Sequence, residues 1–330
     1  MNTMDSSTES QATDSALLNT LIYLDIQDAN IKDEMSFGDI IVQLGKIYAS
    51  DGGFEKYMEK HEDGTQSDYD DRKRQYGILE TAAVQNPHMA SMVIGNQSLL
   101  MTDPSYEKGG LNAFTFKDTE GNITVVYRGT GTGEWLDNGD ALSGIAEENT
   151  YNTYDSNGNI TSSKTVTEYA SDQQAEALNY FNRVQAKDGW TVENNITTTG
   201  HSKGGNKSQF VDLSSDLVDK CYSFDGQAFS PEAIKAFKDK YGEEAYKERS
   251  NKIYSFSAEN DPVNQLGVKA MPEDHIYFFE APESNENMAK NHYMDAMLSV
   301  DGHFNKQVEQ GELSKLAEAL SKVDYFTRVM

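Results

Sequence analysis

The chain has 330 residues, 37% of them hydrophobic and 25% charged, which fits a globular fold with room for one large α/β domain. Asp plus Glu number 54 against 28 Lys plus Arg, a net charge of −26, which repels phosphate backbones and argues against nucleic-acid binding. Cys221 is the single cysteine, so no internal disulfide can form, and no run of about 18 apolar residues exists to span a membrane.

Residues 1–16, rich in Ser, Thr, Asp, Glu and Gln, read as a disordered tail. They lack the basic start and apolar core of a signal peptide, so the protein is expected to be cytoplasmic or secreted without a cleaved signal. Residues 17–330 are expected to form one domain. Leu17 to Leu24 has apolar spacing for a short buried helix, and Ser36 to Ser50 offers a second, with Ile40, Ile41, Leu44 and Ile47 on one face. From Asp51 to Arg74 the chain is charged and polar, read as loop and exposed helix. Asp68, Asp70 and Asp71 lack the full ligand spacing of a calcium loop and read as a solvated acidic face.

Ala113 to Phe116 and Ile123 to Tyr127, joined through Asp-Thr-Glu-Gly-Asn, predict a β-hairpin whose second strand is buried on both faces. That strand runs into Arg128-Gly-Thr-Gly-Thr-Gly133, a loop positioned to supply an oxyanion-binding amide. Residues 145–167 carry a second hairpin signal around Asp155 to Asn159, expected to project from the core. Asp172 to Lys187 has helical spacing in Ala177, Tyr180, Phe181 and Val184. Later strands are expected at 221–224, 252–257 and 275–279, and a helix at 312–327 with Leu313, Leu316, Leu320 and Val323 on one face. Strands alternating with helices from about residue 123 onward predict an α/β fold with a mostly parallel sheet and helices on both faces.

Between those elements stands Ile196-Thr-Thr-Thr-Gly200-His201-Ser202-Lys203-Gly204-Gly205-Asn206. Gly200, Ser202 and Gly204 fit G-x-S-x-G in a strand–turn–helix setting, the nucleophile elbow. A serine on so sharp a turn needs neighbours without side chains two residues away, and the turn aims the next amide, that of Lys203, at the point where an oxyanion would form. A serine needs a histidine to take its proton and a carboxylate to hold that histidine. In this architecture the partners follow in the order acid, then histidine. Asp261, in Glu259-Asn-Asp-Pro-Val263 after the strand 252–257, is the preferred acid, and Asp225, ending an earlier strand, is held in reserve. Of six histidines, His61 and His88 precede the elbow, His201 adjoins the serine but points to the other side of the turn, and His275 begins a strand. His292, one loop past the last strand, is the preferred base, with His303 in reserve.

Val126-Tyr-Arg-Gly-Thr130 followed by Trp135, Gly200-His-Ser-Lys-Gly204, Ser223-Phe-Asp-Gly226 and Asn260-Asp-Pro-Val263 occur in that order. Together they resemble the class 3 (fungal-type) lipases and their bacterial lipase-like relatives of the α/β-hydrolase fold, over most of residues 17–305. The resemblance implies Ser202 as nucleophile, Asp261 as acid, His292 as base, oxyanion amides from Thr130 and Lys203, and a lid within the insertion 141–170. It implies a serine carboxyl-ester hydrolase acting on lipid or small acyl esters, of lipase, esterase or phospholipase A type, with no metal or organic cofactor. Some such relatives are bacterial toxins exported without a cleaved signal, which would add an accessory or immunity protein as partner. The alternatives are a catalytically silent hydrolase-shaped binding module, or a thioesterase or peptidase.

Overall fold

The computed structural model describes residues 3–24, 26, 29–59, 61, 64–101, 110–129, 142–281 and 290–329. In chain order the strands are β1 (Val93–Gly95), β2 (Ala113–Lys117), β3 (Ile123–Tyr127), β4 (Glu147–Tyr154), β5 (Ile160–Glu168), β6 (Ile196–His201), β7 (Lys220–Phe224), β8 (Ile253–Ala258), β9 (Ile276–Phe279) and β10 (Gln307–Val308). The helices used below are α1 (Ser6–Leu21), α2 (Phe37–Tyr48), α3 (Gly53–Met58), α4 (Gln66–Gln85), α5 (Pro87–Ser91), α6 (Asp172–Asp188), α7 (Lys203–Ser214), α8 (Pro231–Tyr241), α9 (Glu243–Ser250) and α10 (Glu312–Val329). No helix among the described residues is long and apolar enough to cross a membrane.

Eight strands form one sheet in the order β1-β2-β3-β6-β7-β8-β9-β10. The run β3-β6-β7-β8-β9 is parallel, and β1, β2 and β10 add antiparallel pairings at the edges. Side chains that alternate along each strand feed two cores, as the pleat requires. Val126, Tyr222, Phe224 and Phe256 pack under α1, α2 and α4 on one face. Val125, Tyr127, Cys221 and Ile253 pack under α6, α7 and α8 on the other. The expected hairpin is β2–β3, and the expected strands near 221, 252 and 275 are β7, β8 and β9.

The elbow strand β6 is buried on both faces although it is rich in threonine. Its hydroxyls are consumed locally: Thr199 donates to the Tyr222 carbonyl at 2.8 Å and accepts from Asn19 of α1 at 2.7 Å, while Thr198 donates to the Ser208 carbonyl at 3.3 Å. A buried hydroxyl so bonded escapes the penalty of an unpaired polar group.

Two expectations are corrected. Residues 6–16 are helical, the first part of α1, rather than a disordered tail. Asp5 caps this helix by accepting from the Ser7 and Thr8 amides at 3.1 and 3.0 Å. Its buried side chains include the small or polar Thr8, Ala12, Ser15 and Asn19, spaced on one face, so the helix approaches the sheet closely without an apolar stripe. Second, the hairpin β4–β5 does not project from the core. Asn179 of α6 donates to the Thr150 carbonyl at 2.8 Å and accepts from the Asn152 amide at 2.9 Å. At the hairpin tip, a Cβ on Gly158 would lie 3.3 Å from Arg183 Nε, near the end of α6 that leads toward the start of β6. The tip therefore lies beside the C-terminal part of α6. The helix expected at 312–327 is α10, with Leu316 and Leu320 57% and 61% exposed; it rests on the Val263–Gln265 turn, and the Gly267 amide donates to Ser321 Oγ at 3.3 Å.

Candidate active site

Parallel strands bring their C-terminal ends to one edge of a sheet, and loops leaving that edge collect residues from distant parts of the chain. Ser202 stands there, between β6 and α7, at φ 58° and ψ −125°. A non-glycine residue in that region stores backbone strain, and the surrounding turn holds it by a bond from the Ser202 amide to the Phe224 carbonyl at 2.9 Å. The neighbouring glycines have no room for a side chain. A Cβ on Gly200 would sit 2.6 Å from the Gly205 nitrogen, and one on Gly204 would overlap the Tyr127 carbonyl. α7 starts at Lys203 with no side chain capping it, so the helix presents the Lys203 amide and its positive dipole end beside the serine.

Asp261 follows β8 in a tight turn closed by its own amide on the Ala258 carbonyl at 3.0 Å. The Asn264 amide donates to Asp261 Oδ2 at 3.0 Å, leaving Oδ1 directed at the site. His292 lies in the loop after β9, which α4 anchors: Asp295 is buried against Arg74 and accepts from Gln75 Nε2 at 2.9 Å. Lys290 reaches Asp71 of α4 at 3.8 Å. So held, His292 Nδ1 is 2.9 Å from Asp261 Oδ1, and Nε2 is 2.8 Å from Ser202 Oγ. A carboxylate accepts, so the ring hydrogen belongs on Nδ1 and Nε2 accepts from the serine hydroxyl. Ser202 and His292 are partly exposed and Asp261 is fully buried, so the serine hydroxyl is reachable while the acid is not.

The reserve residues fall elsewhere. His303 is exposed in a turn closed by the Ser299 amide on its carbonyl, and the adjacent Gly302 packs toward Leu17 and Ala82. Asp225 does not bond His292. Its Oδ1 accepts from the Ala258 amide at 3.0 Å, and its carboxyl faces Asp261. Burial first, and the negative charge of Asp261 second, push Asp225 well above the usual carboxylate range. His61 stacks on Tyr57, His275 on Tyr254, and His88 lies between Asp14 and Asp118. Asp68 caps α4 with Thr65, and Asp71 pairs with Arg74 and Lys290, so the acidic run is spent on helix ends and ion pairs. Thr130 and Trp135 lie outside the described residues.

Several neighbours of the site have contacts that the sequence motifs do not announce. Tyr23, just past α1, sets its hydroxyl 2.9 Å from His201 Nδ1 and accepts from the Gly129 amide at 3.1 Å. A Cβ on Gly129 would come within 3.2 Å of Ser202 Cβ, so the loop after β3 runs against the elbow. Asn206, last in the elbow motif, donates to the Ala228 carbonyl at 3.0 Å and accepts from Gln174 at 2.6 Å, tying α6, α7 and the loop after β7 together. His201 is buried with its ring 4.9 Å from that of His292, and burial holds its basicity well below normal.

No family model and no curated protein matches this chain. Among solved structures, the crystal structure of M37 lipase is similar with a TM-score of 0.33 and 17% identity, over 53% of this chain. The chain spans 57% of the length of that lipase.

Proposed function

We propose that the protein is a serine carboxyl-ester hydrolase of the α/β-hydrolase type, acting on lipid or small acyl esters. The observation that carries this reading is the unbroken hydrogen-bond chain from Ser202 Oγ through His292 to Asp261, at 2.8 and 2.9 Å, on a serine in strained backbone. Strained conformations persist where surrounding structure over-determines them, and such sites are commonly functional.

Ser202 Oγ attacks the ester carbonyl carbon as its proton passes to His292 Nε2, and the carbonyl oxygen takes up the negative charge. Asp261 accepts from Nδ1–H and steadies the imidazolium. The Lys203 amide, at the head of α7, and the Thr130 amide supply the oxyanion site. Collapse of the tetrahedral intermediate breaks the bond to the alcohol oxygen, which leaves with the proton from Nε2. Water then attacks the acyl-serine, giving its proton to the same nitrogen, and the carboxylic acid departs as Oγ is reprotonated.

A fluorophosphonate should label one residue, Ser202, and Ser202→Ala should lose both labelling and p-nitrophenyl ester cleavage. Only about 10³–10⁴-fold over water should remain, from oxyanion stabilisation and binding. Labelling that survives the substitution defeats the proposal. Esters of graded chain length, with and without phospholipid vesicles, would then sort lipase from esterase and phospholipase.

A further inference from the structure

Behind the triad histidine lie two buried groups that the reaction above does not use. His201 Nε2 and Asp225 Oδ2 stand 3.9 Å apart, and neither has a hydrogen-bond partner among the described residues. Their side chains are 5% and 0% exposed, where an unpaired polar atom is costly. The Asp261 carboxylate beside Asp225 is another acceptor, so only a proton held on Asp225 or a bound cation can relieve the pair. One nitrogen of His292 completes the group, and ligand atoms from these three residues all lie within 4.8 Å of one another.

We propose that His201 Nε2, Asp225 Oδ2 and a ring nitrogen of His292 form a Zn²⁺ site that switches the hydrolase off. Two imidazoles and one carboxylate are the donor set of borderline transition metals rather than of Mg²⁺ or Ca²⁺. Tetrahedral Zn²⁺, with bonds of about 2.0–2.2 Å, needs donors about 3.4 Å apart, so side-chain movements on the order of 1 Å close the site and leave a fourth position for water. Metal-bound histidines commonly donate their other N–H to an outer partner. Tyr23 Oη, 2.9 Å from His201 Nδ1, is positioned to accept it. Two carboxylates at one point, in a chain of net charge −26, draw cations to the site. The ion displaces any proton on Asp225, which leaves to solvent.

Inhibition follows whichever His292 nitrogen is captured. Zn²⁺ on Nε2 removes the acceptor of the Ser202 proton, and Zn²⁺ on Nδ1 breaks the link to Asp261. Metal binding stands on the three side chains alone, whereas its inhibitory consequence rests on the hydrolase reading.

The test uses Ser202→Ala protein, which retains all three ligands and cannot turn over, titrated with Zn²⁺ against a chromophoric chelator. One equivalent should bind, and Co²⁺ in its place should show the visible absorption of a four-coordinate nitrogen–oxygen site. Adding His201→Gln or Asp225→Asn should weaken Zn²⁺ at least about tenfold, since losing even an outer partner costs that much. His88→Gln should change nothing. In the unsubstituted protein Zn²⁺ should stop ester cleavage and a chelator restore it. No bound equivalent, or binding indifferent to the changes at 201 and 225, overturns the proposal. Should those buried variants fail to fold, His292→Gln decides, with unchanged Zn²⁺ affinity the refuting result. Zn²⁺ binding in a protein that cleaves no ester would sink the hydrolase reading and leave the metal site standing.

Discussion

Asp261→Asn tests the acid assignment through the geometry of two hydrogen bonds. The carboxylate accepts from the Asn264 amide at Oδ2, 3.0 Å, and from His292 Nδ1 at Oδ1, 2.9 Å. An amide offers one acceptor and one donor, so it cannot serve both. With its NH₂ toward Asn264, two donors collide and a buried N–H is left unpaired, at a cost of about 1–3 kcal/mol. With its NH₂ toward His292, the imidazole must carry its hydrogen on Nε2, and the serine loses its base. The second orientation keeps the turn intact, so the folded protein should survive with kcat about 10³–10⁴-fold lower, or about 4–5.5 kcal/mol of lost transition-state stabilisation. Asp225→Asn is the comparator. Burial and the Asp261 charge hold Asp225 protonated well above the usual range, so an amide imitates it closely and kcat should fall no more than about tenfold. Steady-state cleavage of a p-nitrophenyl ester, with circular dichroism to confirm folding, reads both. An Asp261→Asn enzyme within tenfold of the parent, or the larger loss at Asp225, would refute the assignment.

Further outcomes are expected away from the reacting atoms. Asp212 is buried with neither oxygen hydrogen-bonded among the described residues, and burial raises it well above the usual carboxylate range. The folded state therefore keeps a proton that the unfolded chain releases, so stability falls as pH rises from about 3.8 to the raised value. Asp212→Asn removes that penalty, and its melting temperature relative to the parent should improve more at pH 8 than at pH 4; an equal difference at both refutes the reasoning. Arg74→Ala strips the buried Asp295 of its ion pair, 45% exposed on the arginine side, and loosens the loop bearing His292. Stability should drop by about 1–3 kcal/mol and kcat by up to about 10²-fold, with KM nearly unchanged in steady-state kinetics. Gly204→Ala forces a methyl against the Tyr127 carbonyl, with Arg128 C only 2.9 Å away. Backbone cannot yield as a side chain does, so a urea titration should show a loss of about 3 kcal/mol or more.

What was legible in the sequence is what short-range geometry dictates. Gly200, Ser202 and Gly204 encode the elbow within five residues because each constraint is local, and Pro262 beside Asp261 marks a turn at a strand end. His292 was reached only by its place after β9, since nothing near residue 292 announces Arg74 and Gln75 holding Asp295 from α4. The helix expected from Leu17 is the second half of α1; the first half escaped because its buried face is made of Thr8, Ala12 and Ser15, which read as a polar tail until the sheet is known. Gln11, within that tail, accepts from the Tyr222 hydroxyl at 2.9 Å and from Lys220 Nζ at 3.0 Å, contacts that span the sequence. The hairpin misled for the opposite reason: its alternation is real, but the Asn152–Asn179 bonds that lay it along α6 leave no periodic signal.

The elements hardest to read are also those that complete the site. Tyr23 is held by Arg72, which donates to its carbonyl at 2.6 Å, and by Arg128, whose guanidinium lies 5.4 Å from its ring centre. Its hydroxyl then joins His201, at the end of β6, to the Gly129 amide at the end of β3. Those two strand ends are what bring the Gly129 backbone against Ser202, so the spacing between the elbow and the loop expected to carry the oxyanion amide is fixed from outside the sheet. A sheet alone would position Ser202 and Asp261. The layer formed by α1, Tyr23 and α4 adds the remaining constraints, one on the loop after β3 and one on the loop of His292, with the chain of α1 running on from Gln11 beside the start of β7 to Tyr23 beside the end of β6.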